Sequence, residues 1–185
     1  MRADQFVGIR RPAVFLDRDG VLTEERGYVT SVEELYIFPF VEVCVRQIHE
    51  KGYYAIVITN QSGVARGLFS EDELLKMNDY LMRQTGVDAV YYCPHHPEGS
   101  VEKYRKVCRC RKPKIGMFQE ACRKFDIDLA KSYMVGDRAG DIIAGQNVGV
   151  KTILVGSGYG TAKLEEKVEA NYICSDLRDV VKLLK

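Results

Sequence analysis

Short, nearly unbroken apolar runs alternate with amphipathic stretches along the chain. The runs fall at residues 13–17, 54–59, 89–93, 133–136, 152–155 and 172–174, and they are rich in Val, Ile, Tyr and Phe. Such runs predict strands buried on both faces of a parallel sheet. Between them, residues 40–51 place Phe40, Val41, Cys44, Val45 and Ile48 on one stripe and stop at Gly52, which predicts a helix with a glycine after its last turn. Ser70-Glu-Asp-Glu73 reads as a capping box and opens a helix through Leu74, Met77 and Leu81 that stops near Gly86. Ile115, Phe118, Cys122 and Phe125 recur at steps of three and four, which predicts a third helix. Residues 141–148 and 177–184 predict two more. Alternating strands and helices imply an α/β fold built on a doubly wound, mainly parallel sheet with right-handed crossovers. With no internal repeat, linker or low-complexity tract, residues 1–185 are expected to form a single domain.

Two connections are longer than a simple turn. About twenty residues separate Asp17 from the first helix, and about twenty separate Cys93 from the third; loops of that length in a compact domain are usually functional. The first carries Gly20, Gly27 and Tyr28 among charged residues and is expected to lie as a flap over a site.

The second loop has a chemical reason for its length. It reads Cys93-Pro-His95, then twelve residues, then Cys108-Arg-Cys110-Arg111-Lys112-Pro113. Three thiols and an imidazole in two tight pairs are the donor set of a closed tetrahedral Zn²⁺ site. Four protein ligands leave no open position, so the zinc is expected to be structural. His96 is adjacent and is the alternative to His95; His95 is preferred because it pairs with Cys93 as Cys108 pairs with Cys110. Cys44, Cys122 and Cys174 fall on apolar faces and read as small buried hydrophobes. This cysteine usage suits a reducing compartment better than a disulfide framework.

Charge narrows the partners. A formal net charge of +1 gives no general attraction to nucleic acid or to a membrane surface. No apolar run approaches the ~20 residues of a transmembrane helix. The start, Met1-Arg-Ala-Asp-Gln-Phe6, lacks the apolar stretch of a signal peptide. A cytoplasmic monomer acting on a small molecule is the expectation.

In open α/β sheets ligands bind beyond the carboxyl ends of the strands. The first run ends in Asp17-Arg-Asp19-Gly20, the second in Thr59-Asn60-Gln61-Ser62-Gly63, and the fourth in Gly136-Asp137-Arg138-Ala-Gly140-Asp141, while the metal loop delivers Lys112. Asp17 and Asp137 side by side, both charged, would repel by about 4 kcal/mol at ~4 Å and an effective dielectric of ~20. A cation between them removes that cost, and a carboxylate donor set points to Mg²⁺, which takes one or two carboxylates, waters and a phosphate. Lys112 and Thr59 would then hold the remaining phosphoryl oxygens, an arrangement suited to phosphoryl transfer.

Asp17-x-Asp19-Gly20, Thr59, Lys112 and Gly136-Asp137-x-x-x-Asp141, in order across nearly the whole chain, resemble the four motifs of the haloacid dehalogenase superfamily. The resemblance implies its Rossmann-like fold, here without a separate cap domain. It also implies that Asp17 is the nucleophile and forms an aspartyl-phosphate. Asp19 would be the acid and base, and Mg²⁺ would be held by Asp17, Asp137 and the Asp19 carbonyl. Asp141 would orient that set. Thr59 and Lys112 would stabilise the phosphoryl group and Arg111 would recognise substrate. Glu25, Arg26, Gly27, Tyr28, Asn60, Gln61, Ser62 and Arg138 would be further substrate contacts.

Within the superfamily the chain resembles the zinc-stapled branch that acts on heptose bisphosphates and histidinol phosphate, with His95 as the zinc histidine. The twelve residues between His95 and Cys108 favour the heptose branch, which works in nucleotide-heptose formation for bacterial surface polysaccharide. A non-catalytic zinc-stapled binding module would be expected to have lost some of Asp17, Asp19, Thr59, Lys112 and Asp137.

Overall fold

The computed structural model describes residues 10–158 and 168–185; the first six residues, read above for an apolar leader, lie outside that range. Six strands form one sheet: β1 (Ala13–Leu16), β2 (Tyr54–Asn60), β3 (Ala89–Cys93), β4 (Tyr133–Gly136), β5 (Lys151–Val155) and β6 (Tyr172–Cys174). Their order is β3-β2-β1-β4-β5-β6, and every pairing is parallel. The chain leaves β1 towards one edge, returns, and continues from β4 towards the other. That reversal opens a crevice between the carboxyl ends of β1 and β4, where a doubly wound sheet binds its ligand.

Among the described residues, five α-helices cover the two faces: α1 (Val41–Glu50), α2 (Glu71–Thr85), α3 (Gly116–Lys124), α4 (Ala139–Val148) and α5 (Leu177–Leu183). Alternate residues of each strand feed opposite cores, as a pleated strand requires. Val14, Leu16, Ala55 and Val57 pack with Val41, Ile48, Leu74, Met77, Leu177 and Val180 on one side. Ala13, Phe15, Ile56 and Ile58 pack with Met117, Phe118, Ala121 and Ala144 on the other.

Helix boundaries follow their caps. Ser70 accepts from the Glu73 N–H at 3.1 Å and Gly86 closes α2 with φ +74°. α4 begins two residues before Asp141, because Asp141 reaches back to accept the Arg138 N–H at 3.1 Å and thereby sits in the first turn. On α3 the fully buried stripe is Met117, Phe118 and Ala121; Ile115, Cys122 and Phe125 are only partly buried at its margin.

The first long connection is pinned, not loose. Phe38 N–H donates to Leu22 and Glu24 N–H to Tyr36, a two-rung antiparallel excursion, and Val21, Leu22, Val29 and Leu35 anchor it in the core. Its tip carries Glu25, Gly27 and Tyr28 over the crevice.

Candidate active site and metal clusters

The two central carboxylates stand where strands stop. Asp17 directly follows β1 and Asp137 directly follows β4, so strand pairing alone brings their carboxylates together. The carboxylates of Asp17, Asp137 and Asp141 have oxygens within 4.8 Å of one another, and all three residues are buried. Lys112 Nζ lies among them, 3.0 Å from Asp17 Oδ1 and 2.6 Å from Asp141 Oδ1, and donates to the Ile58 carbonyl at 2.6 Å.

Three carboxylates share the buried ammonium of Lys112 and, 4.0 Å from Asp137 Oδ1, the Arg138 guanidinium, so negative charge is in excess. Burial pushes the Asp17 carboxyl up to about 7, Lys112 opposes that rise, and Asp141, Asp137 and Asp19 add to it. Burial alone would lower Lys112, but Asp141 and Asp17 more than offset it and hold its ammonium above the ordinary lysine range.

The backbone has been kept clear for this cluster. Gly20 has φ +80°, a conformation that favours glycine, and a Cβ there would lie 2.5 Å from Asp137 Oδ2. A Cβ at Gly136 would lie 2.2 Å from Asp141 Cβ. Hard oxygen donors, excess negative charge and a side-chain-free wall fit a divalent cation of the Mg²⁺ type. Both Asp141 oxygens are already engaged, by Lys112 and by the Arg138 N–H, which leaves Asp17 and Asp137 as the side chains to hold the ion.

Asp19 occupies a separate cradle. Its Oδ1 accepts from Arg18 Nε at 3.0 Å and Thr23 Oγ1 at 3.2 Å, and its Oδ2 from Gln61 Nε2 at 2.7 Å. Arg18, 1% exposed, also donates to Gln61 Oε1 at 3.0 Å. Arg18 was not among the residues singled out from sequence. In a string of charged residues it looks like a solvated turn cation, and only the tertiary fold makes it the brace of Asp19.

The crevice has a volume of about 360 Å³, and Asp17, Asp19, Lys112 and Asp141 line it. Of the expected substrate contacts, Glu25, Gly27, Tyr28, Asn60, Gln61, Ser62, Arg111 and Arg138 all reach it. Three expected residues do not line it, the first being Asp137, which is fully buried. Arg26 turns outward, pairing with Glu24 and lying over the Tyr36 ring 5.5 Å from its centroid. Thr59 is buried beneath Gln61, whose amide donates to the Thr59 hydroxyl at 3.0 Å. Arg138 joins Glu25 at 2.7 Å, tying the tip of the first loop to the start of α4.

The cysteine cluster lies behind Arg111. Cys93–Cys108, Cys93–Cys110 and Cys108–Cys110 sulfurs are 3.5, 3.2 and 3.2 Å apart, and His95 Nδ1 is 3.4 Å from Cys110 Sγ. A Zn–S bond of ~2.3 Å implies a tetrahedral edge of about 3.8 Å, so the four donors already lie near the corners of one coordination sphere. His95, not His96, faces it. Hydrogen bonding with Cys93 and then Cys108 pulls the Cys110 thiol down, while hydrogen bonding with Cys110 and burial push Cys93 up, so Cys110 is the thiol readiest to give up its proton to a metal. The cluster meets the cleft through one peptide: Arg111 and Lys112 follow Cys110 directly, and the Lys112 main chain is fixed to Asn60 in β2.

Comparison with known proteins agrees with this geometry. A family model described as HAD-hyrolase-like matches residues 109–180. D-glycero-beta-D-manno-heptose-1,7-bisphosphate 7-phosphatase of Haemophilus ducreyi is 44% identical over 179 residues, covering 92% of this chain and 97% of that protein. The protein of the same name from Pasteurella multocida is 39% identical, covering 95% and 97%. Among solved structures, D,D-heptose 1.7-bisphosphate phosphatase from B. bronchiseptica, complexed with magnesium and phosphate, superposes with a TM-score of 0.80 at 34% identity, covering 92% of this chain and 96% of that one.

Proposed function

The chain belongs to the D-glycero-D-manno-heptose-1,7-bisphosphate 7-phosphatases, a family of haloacid dehalogenase-like hydrolases, and on that footing we propose that it hydrolyses the C7 phosphate of the bisphosphate, leaving heptose 1-phosphate. The observation that carries this reading is the Asp17–Lys112–Asp141 chain of ion pairs at the β1/β4 crevice, with Asp137 beside it.

Asp17 attacks the C7 phosphorus and becomes the aspartyl-phosphate as the bond from phosphorus to the sugar oxygen breaks. Its Oδ1 is fixed by Lys112 and by the Arg18 N–H at 2.8 Å, so the carboxylate is oriented before substrate arrives. Asp19 gives its proton to the departing sugar oxygen. It then takes a proton from the water that attacks phosphorus, which frees phosphate and restores Asp17. Lys112 stabilises the phosphoryl oxygens through the transfer, Thr59 joins it once the Gln61 amide swings off its hydroxyl, and Asp141 holds Lys112 in place. Mg²⁺, held by Asp17, Asp137 and the Asp19 carbonyl, supplies charge neutralisation to the phosphoryl group when bound.

Zn²⁺ at Cys93, His95, Cys108 and Cys110 is structural in this reading, fixing the loop that presents Arg111 and Lys112. Glu25, Gly27, Tyr28, Asn60, Gln61, Ser62, Arg111 and Arg138 surround the sugar. The relatives are named for the β anomer of the 1-phosphate, and that preference is carried to this chain. Residues 1–185 act as one domain and as a monomer in the cytoplasm, supplying a step of nucleotide-heptose formation. A net charge of +1, and no described helix long and apolar enough to cross a membrane, agree with a small-molecule substrate.

The test is turnover of α- and β-heptose 1,7-bisphosphate followed by phosphorus NMR, with histidinol phosphate alongside. Loss of the C7 resonance, fastest for the β anomer, is expected. Release of the C1 phosphate, or faster hydrolysis of histidinol phosphate, would overturn the assignment.

A further inference from the structure

Beyond the ends of β1, β2 and β4, a further strand end touches the carboxylate cluster. The turn Gly156-Ser157-Gly158 follows β5 directly and is held from two sides. Gly156 N–H donates to the Cys174 and Ser175 carbonyls at 3.0 and 3.1 Å, which ties the turn to the end of β6. Ser157 Oγ donates to the Gly20 carbonyl at 2.6 Å, which ties it to the loop after β1. Gly158 packs so closely that a Cβ there would overlap Asp137 Oδ2 and lie 2.7 Å from Gly20 Cα. A Cβ at Gly20 would in turn lie 2.5 Å from Asp137 Oδ2 and 3.0 Å from Gly158 Cα. Asp137 Oδ2 therefore rests against two main chains, from the loops after β1 and β5.

Two of the three donors assigned to Mg²⁺ lean on this turn. One is the Asp137 carboxylate. The other is the Asp19 carbonyl, which shares its peptide plane with the Gly20 N–H. That N–H donates to the Thr23 carbonyl at 2.7 Å, and one Cα further on Ser157 grips the Gly20 carbonyl. The backbone carrying the Asp19 oxygen is thus fixed on both sides. A turn serine commonly bonds its own neighbouring backbone. Ser157 instead reaches a residue 137 positions away, at a different strand end. Groups that orient metal ligands in this way carry much of a site's affinity. Mg²⁺ demands near-ideal octahedral geometry, whereas Ca²⁺ accepts longer and more variable bonds. A pinned backbone wall suits the ion that tolerates less displacement.

We propose that Ser157 and Gly158 are positioning residues for the divalent cation: they hold Asp137 and the Asp19 carbonyl in the arrangement a small octahedral ion requires, and thereby favour Mg²⁺ over Ca²⁺. This rests on the reading of the carboxylate cluster as a Mg²⁺ site and is independent of which phosphate ester is the substrate.

The experiment is calorimetric titration with Mg²⁺ alone and with Ca²⁺ alone, on full-length protein as purified and dialysed free of Mg²⁺. Wild type is compared with Ser157→Ala, Ser157→Thr and Gly158→Ala. Ser157→Ala is expected to weaken Mg²⁺ binding by roughly tenfold and Ca²⁺ binding by at most about threefold. Thr keeps the hydroxyl and should stay near wild type. Gly158→Ala, which drives a methyl group into Asp137, should weaken Mg²⁺ at least as much as Ser157→Ala. Thermal unfolding without Mg²⁺ checks that Ser157→Ala is folded, and a general loss of stability would weaken both ions alike. An unchanged Mg²⁺ affinity in Ser157→Ala, or equal losses for the two ions, overturns the positioning role. No substrate is present, so failure to hydrolyse heptose bisphosphate does not enter the result. A wild-type protein that binds no Mg²⁺ overturns this role and the metal reading together.

Discussion

The main chain of Lys112 and the side chain of Asn60 grip each other: Lys112 N–H donates to Asn60 Oδ1 at 3.0 Å, and Asn60 Nδ2 donates to the Lys112 carbonyl at 3.2 Å. This two-way clamp joins the metal loop to the last residue of β2, so the position of the ammonium group depends on the Asn60 amide. Asn60→Ala leaves a buried N–H without a partner, which should cost about 1–3 kcal/mol of stability. A loosened Lys112 should lower kcat by about tenfold or more. Steady-state kinetics and thermal unfolding check both, and a variant with wild-type kcat would show the clamp to be dispensable.

The ionisation of Asp17 sets a pH window. Its carboxyl titrates at about 7 in the folded, metal-free protein, against an ordinary value of 3.8. The folded state therefore binds the proton more tightly than the unfolded chain. The stabilisation is fully present below pH ~4 and is lost as pH rises through ~7. Metal-free protein should unfold more easily at pH 8 than at pH 6, and added Mg²⁺ should restore stability most at the higher pH. Mg²⁺ affinity should climb by up to about tenfold per pH unit below 7 and then level off. Calorimetric titration at several pH values measures this, and an affinity that does not vary from pH 5 to 8 would contradict it.

Asp17→Asn removes the proposed nucleophile together with a buried charge that Asp137 and Asp141 already oppose. Phosphate release should fall by at least about four orders of magnitude. The metal-free variant should unfold at pH 8 no sooner than wild type. Retained turnover would exclude Asp17 as nucleophile, while collapse of the fold would mean that the carboxylate is chiefly structural.

Removing the zinc should act at a distance. Chelation, or Cys110→Ser, should expose the thiols of residues 93–110 to a titrating reagent and reduce kcat, because Lys112 loses its second anchor. The sheet should keep its far-ultraviolet signal. Elemental analysis is expected to find about one tightly held zinc per chain. Stripped protein with unchanged kinetics would separate the cluster from catalysis.

Arg18→Lys keeps a charge but cannot donate to Asp19 and Gln61 from one planar group. Turnover should drop by about tenfold or more, with Mg²⁺ affinity nearly unchanged. Loss of metal binding instead would mean that Arg18 supports the Asp17–Asp137 pair and not Asp19.

These expectations mark where reading from sequence succeeds. The strands β1 to β6 and the carboxylates at their ends are legible because a buried parallel strand is a local apolar run, and its last residue faces the crevice whatever the loops do. The clustering of Cys93, His95, Cys108 and Cys110 is legible because two donor pairs at tight spacing have few other uses. Arg18, Arg26 and Thr59 are different. Arg18 and Arg26 in the first loop and Arg138 after β4 have the same local signature, yet the fold buries Arg18, turns Arg26 to Glu24 and ties Arg138 to Glu25. Thr59 sits at the right strand end, but Gln61, two residues on, folds back over it. Such choices are made by partners distant in sequence, and local patterns do not encode them.

The strand order has a consequence for how the protein comes into being. Asp17 and Asp137 meet because β1 pairs with β4, although they lie roughly 120 residues apart, so the site is among the most non-local contacts in the molecule. During synthesis the half carrying β1, β2 and β3 can pack while β4 is still unmade, leaving β1 with an open flank. The carboxylate cluster forms only when that flank closes, and a chain truncated before Tyr133 would hold Asp17 without Asp137.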